Sequence, residues 1–131
     1  MRRIDPEGLT PPRGYSNGWL SPPGSRLLFV AGQIGWDRDG KIVADDLPRQ
    51  FRQALENVLV VVAAAGGHPE HLARLTIYVV DREEYRAATR EIGRHYRDLM
   101  GDHYPAMALL EVAGLVEPGA RVEIEATAAI P

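Results

Sequence analysis

Cysteine is absent from this 131-residue sequence. Its absence excludes thiol nucleophiles, disulfides and thiolate metal ligands together, and it fits a reducing cytoplasm. Long hydrophobic runs are also missing: the longest, residues 58–65, is about half of the roughly 18 residues a membrane span needs. Two arginines near the N-terminus have no apolar stretch behind them, so no secretory signal is legible. The expectation is a soluble, cytoplasmic protein with no membrane partner. Basic excess is lacking as well. The formal net charge is -3 with a pI near 5.8, which supplies no general attraction to phosphates, and nucleic acid is not an expected partner. The glycines build neither a phosphate loop nor a dinucleotide fingerprint, and Ser16, Ser21 and Ser25 lack the setting of a nucleophile elbow. His68 and His71 stand three apart with no third ligand at a recognisable spacing, so they read as a surface turn and no metal is expected.

What is present is the composition of an ordinary folded globule, with 45% hydrophobic and 25% charged residues; the length predicts one domain over 1–131. Residues 5–25 are rich in proline and glycine and read as an irregular opening with a short edge strand over 15–20. A buried strand over 26–33 ends near Gly32 and runs into a turn at 35–40. Leu47, Phe51, Ala54, Leu55, Val58, Leu59 and Val62 recur at helical spacing, with Asp45 and Asp46 placed for an N-cap and Gly66-Gly67 as a stop. Residues 73–80 alternate as a half-buried strand. Asp81 with Glu84 three residues on opens a second helix that should run to about Met100. The C-terminal stretch 105–127 reads as two strands joined by a turn containing glycine and proline. The fold class predicted is α+β, a two-layer sandwich with both helices on one face of a single mixed sheet. The other face is apolar enough at Tyr78, Val80, Met107 and Leu109 to call for a second subunit.

His95 and His103 flank the end of the second helix, where they read as capping groups. Arg82, Arg86, Arg90 and Arg94 recur every four residues, but acidic residues interleave with them and no aromatic platform accompanies them. They read as a solvated helix face with local ion pairs. On the last strand, Glu123 and Glu125 share one face with Arg121. Such a pair is ordinary alternation at an exposed face, or else it lines a cleft where a desolvated carboxylate works on water.

GYSNG at 14–18, LFVAGQIG at 28–35, LTIYVVD at 75–81 and, above all, YPAMALLEVAGLVEPGARVEIEATA at 104–128 make the chain resemble the YjgF/RidA (Rid) family over nearly its whole length. The resemblance implies a chorismate-mutase-like fold, a homotrimer and three clefts for a small-molecule ligand between neighbouring subunits. It also implies hydrolysis of reactive 2-imino or 2-enamino acids to 2-oxo acids and ammonia, with no metal or cofactor. Glu123 matches the family's water-positioning glutamate, Tyr15 the tyrosine lining the cleft, and Gly32 a strand-end loop approaching the ligand. At Met107 the chain departs. Deaminating members carry there an arginine that pairs with the substrate carboxylate, whereas methionine offers no donor, so this chain falls in an arginine-lacking subgroup. Arg13 and Arg121 stand as substitutes for that cation, or as a loop residue and a glutamate's cross-strand partner. The function expected is an imine or enamine deaminase; the alternative is a non-catalytic ligand-binding or regulatory trimer.

Overall fold

The first helix begins where its sequence signals place it. In the computed structural model, which describes residues 1–131, α1 spans Leu47–Ala64, Asp46 accepts a hydrogen bond from the Arg49 N–H, and Pro48 occupies the first turn, where its missing N–H costs nothing. Leu47, Phe51, Ala54, Leu55, Val58 and Val62 are all buried. Each large aliphatic or aromatic side chain so buried contributes about 1.5–3 kcal/mol. The helix ends at Gly66, whose φ of 81° is left-handed.

The strands are β1 (Arg2–Ile4), β2 (Gly18–Leu20), β3 (Arg26–Ile34), β4 (Leu72–Val79), β5 (Ala106–Glu111) and β6 (Val122–Ile130). β1 and β2 form a small antiparallel pair, and the other four form one sheet in the order β3-β6-β4-β5. β6 is antiparallel to both of its neighbours, while β4 and β5 run parallel. Along β6 the alternation holds throughout: Val122, Ile124, Ala126, Ala128 and Ile130 join the core beneath the helices, and Glu123, Glu125 and Thr127 take the other face.

Three expectations are corrected. The second helix is two, α2 (Arg82–Ala87) and α3 (Thr89–Met100), so three helices, not two, make up the helical layer. The Thr89 hydroxyl donates to the Arg86 carbonyl at 2.7 Å, competing with the helical ladder at the junction. Asp81 does cap α2 through the N–H groups of Glu83 and Glu84, but Glu84 sends its carboxylate to Arg121 instead of back to the cap. The two C-terminal strands, finally, are not partners: β4 lies between them.

The face of the sheet away from the helices is uncovered within the chain. The strand expected to be buried is instead the edge strand β3, and within the chain its alternate residues Leu27 and Phe29 are 60% and 75% exposed, an apolar surface of the kind that a partner covers.

Candidate functional site

Glu123 stands on the open face of β6, paired in register with Tyr78 of β4 and Ile34 of β3. β3 carries an irregularity between Val30 and Gln33, and Gly32 sits within it. A Cβ on Gly32 would lie 2.8 Å from the Glu123 Cδ and 2.9 Å from its Oε2, so the missing side chain is what makes room for the carboxylate. Gly32 is therefore inside a strand and against Glu123, not in a strand-end loop. The Glu123 carboxylate accepts no hydrogen bond from within the chain. Two residues on, Glu125 accepts one from the Tyr78 hydroxyl at 2.7 Å, which holds the tyrosine pKa above its ordinary value. Of the two glutamates, only Glu123 has no hydrogen-bond partner within the chain.

Tyr15 lies at the other end of the sheet order. Ser16 anchors this segment, its N–H donating to the Pro105 carbonyl at 3.0 Å and its hydroxyl to that of Tyr104 at 2.6 Å. The Trp19 indole N–H reaches the same Tyr104 oxygen. These bonds set Tyr15 beside the start of β5, where it shares a depression of about 240 Å³ with Asn17, Arg74 and Met107. Met107 pairs in register with Leu75 and Leu109 with Ile77, both core residues, so these two side chains lean toward the helices and not, as the sequence suggests, onto the other face of the sheet. There Met107 lines a second cavity, also about 240 Å³, together with Arg13, Tyr85, Gly93, Tyr96 and Arg97.

The residues named from the sequence thus fall into two groups. Gly32 and Glu123 meet on the β3 side, and Tyr15, Met107 and Arg13 gather at β5. Three strand spacings, about 14 Å, separate the edges β3 and β5. Arg121 joins neither group: it precedes β6, and its guanidinium is committed to Glu84 at 2.7 Å and the Asp45 carbonyl at 2.8 Å. Its N–H donates to Gln50, a fully buried side chain that also donates to the carbonyls of Ala44 and Gly119. Arg121 is a clamp between the sheet end and the helices.

Sequence reasoning missed Arg74. On β4 it stands two and four residues before Thr76 and Tyr78, and it lines both the Tyr15 depression and a groove with Phe29, Glu125 and Thr127. The signal was its place in the same alternation that exposes Tyr78. The histidines take other roles than helix capping: His103 Nε2 lies 2.7 Å from the Leu72 carbonyl, and His95 Nδ1 is 3.3 Å from Arg52 between α1 and α3. His71 accepts a hydrogen bond from the His68 N–H in a turn. No three acidic or histidine side chains converge as a metal site, and no helix is long and apolar enough to cross a membrane.

A family model described as Endoribonuclease L-PSP matches residues 9–130. The chain belongs to the YjgF/RidA, or Rid, family. Among solved structures, a Rid-family protein of unknown function from Yersinia pestis shares 34% identity, covers 98% of each chain and superposes with a TM-score of 0.84. The Rid relatives include a RutC family protein of Pyrococcus horikoshii, 36% identical over 78% of each chain. The human protein named 2-iminobutanoate/2-iminopropanoate deaminase is 30% identical over 79% of this chain and 72% of its own length.

Proposed function

We propose that this Rid protein is an imine or enamine hydrolase that works in clefts between the subunits of a homotrimer. Water adds across a C=N bond, and the adduct collapses to a C=O product with release of ammonia. Glu123 positions the water and takes its proton, Tyr15 contacts the ligand, Gly32 leaves the carboxylate its place, and no metal or cofactor takes part. The observation that carries this reading is the Glu123 carboxylate, held against Gly32 with no partner of its own inside the chain. The human and Salmonella typhimurium relatives named as 2-iminobutanoate/2-iminopropanoate deaminases, 30% and 32% identical, lend the reaction class. The endoribonuclease of the family description fits poorly with a net charge of -3.

The intersubunit location rests on topology. Glu123 and Gly32 sit toward one edge of the sheet, and Tyr15 and Met107 sit at the other. A head-to-tail ring brings unlike edges of neighbouring copies together, so each cleft takes one half from each copy. It also covers Leu27 and Phe29. A methionine at 107 offers no donor to a substrate carboxylate, which supports assignment to an arginine-lacking subgroup and favours the second reading, a trimer that binds a ligand without turning it over.

Ammonia release from freshly generated 2-iminopropanoate and 2-iminobutanoate tests the reaction. Activity lost in Glu123→Gln and raised in Met107→Arg is the expected result; no release by any form sinks the hydrolase and leaves the binding trimer. Co-refolding Glu123→Gln with Tyr15→Ala tests the location. In randomly mixed trimers about a quarter of the clefts carry both intact halves, so activity should return to about that level. A site built within one chain would regain none, and a monomer by light scattering overturns the cleft.

A further inference from the structure

Resting on the reading that the chain binds a small metabolite, we propose that the cavity between α2, α3 and β5 is a pocket for a monocarboxylate with a bulky apolar body, its anion held by Arg13 and Arg97. At about 240 Å³ the cavity falls below the roughly 300–1,000 Å³ of drug-sized sites, the scale of one molecule the size of an aromatic amino acid. Its wall is apolar and aromatic. Met107 and Ile92 line it, and Tyr96 and Tyr104 stack with ring centroids 5.2 Å apart.

Two cations open onto this wall and no carboxylate does. Arg86 is paired with Glu83, Arg52 with Glu56 and Asp98, and Arg121 with Glu84, while Arg90 and Arg94 of α3 carry no ion pair but lie outside the cavity lining. Arg13 and Arg97 have neither an ion pair nor a side-chain hydrogen bond. Two guanidinium groups beside an apolar wall, with their donors unspent, are the arrangement that takes up a carboxylate.

Gly93 supplies an independent sign. A glycine inside a helix costs about 0.5–1 kcal/mol relative to alanine, and this one needs no left-handed backbone. Its contribution is space: a Cβ there would stand 3.2 Å from Arg97 Nη1, so the bare position lets the guanidinium fold back across α3 at the cavity. Tyr85 adds a hydroxyl that makes no hydrogen bond in the chain and that burial keeps protonated. The Tyr96 hydroxyl is already spent on the His103 carbonyl. With the anion anchored from α3 and from the Arg13 loop, methionine at 107 is a surface for the apolar body.

Calorimetric titration of the full chain with phenylpyruvate, 2-oxobutanoate and uncharged phenylacetamide tests the pocket. Phenylpyruvate should bind at least about tenfold tighter than either of the others. Arg97→Gln and Arg13→Gln, both at exposed positions, should each weaken it about tenfold. Gly93→Leu should abolish its binding, with folding checked by the urea midpoint. Failure of phenylpyruvate to saturate wild type, preference for the short acid, or indifference to both arginine replacements would each overturn the assignment. Ammonia release separates it from the hydrolase reading: arginine-dependent binding without release removes the hydrolase and keeps the pocket, and release without arginine-dependent binding does the reverse.

Discussion

Replacing Gly32 by alanine moves one methyl group into the space the Glu123 carboxylate occupies. The new Cβ would stand 2.8 Å from Cδ, 2.9 Å from Oε2 and 3.0 Å from Cγ. Ordinary carbon contacts begin at about 3.5 Å, so the carboxylate must retreat by about 1 Å. Because the obstructed group is the free end of a flexible side chain, an off-rotamer χ costing about 0.5–1.5 kcal/mol absorbs the clash. Loss of glycine's freedom in the unfolded chain offsets that by about 0.4–1 kcal/mol. Stability should therefore change by less than about 1 kcal/mol in urea unfolding. Activity should not survive as well. A displacement of 1 Å in a catalytic group costs on the order of 100-fold, so ammonia release should fall by about that factor while the fold persists. In the Glu123→Gln background the same replacement should add almost nothing, since both changes disable one group. If Gly32→Ala keeps its kcat/KM within a factor of about three, under about 0.7 kcal/mol of barrier, the position of Glu123 against Gly32 is not its working position and the proposed role fails.

Gly35→Ala should behave oppositely, because its Cβ would meet the Gln50 Cα at 2.7 Å and carbonyl oxygen at 2.9 Å, and a helix backbone cannot turn aside; a loss of about 1–3 kcal/mol is expected, and an unchanged urea midpoint would contradict the packing described. Asp46→Ala removes the N-cap of α1, for about 1 kcal/mol and a Tm lower by about 4 °C in thermal unfolding near neutral pH. Desolvation alone would raise the Asp46 pKa, but hydrogen bonds from the Arg49 N–H and guanidinium outweigh it and hold the value below the ordinary aspartate range. The contribution is therefore present above the unfolded pKa and lost as pH falls through the depressed folded one. Wild type and variant should converge below about pH 4, and a difference that grows in acid would refute the sign.

Legibility followed the reach of each signal. Asp46 and Gly66 are local start and stop signs, and α1 lies between them. Alternation along 122–127 placed Glu123 and Glu125 on one face, and register with Tyr78 and Thr76 bears this out. The same rule carried Arg121 too far, since the strand begins one residue later and its side chain answers to Glu84. The break at Ala88 and Thr89 was hidden because a threonine inside a helical pattern breaks it only when its hydroxyl turns back on the ladder. β1, three residues long, has no periodicity to read. The turn at Pro118-Gly119 told that the chain reverses between β5 and β6. It could not tell that β4 fits between them, because strand order is set by burial across the whole sheet and not by the turn.

That insertion of β4 changes what Met107 can mean. As an immediate neighbour of Glu123, a methionine in place of arginine would have altered the setting of the water-handling carboxylate itself. With β4 between them, and with Met107 leaning toward the helices while Glu123 faces the open side, the two share no contact within a chain. Substitutions at 107 and at 32 or 123 should then act additively on the stability of one subunit. In the proposed trimer they couple only through a ligand spanning the cleft. Separation of this kind allows an anion anchor to change while the carboxylate and its glycine stay in place, so on the proposed function the choice of ligand falls to β5 and α3, and the handling of water to β6.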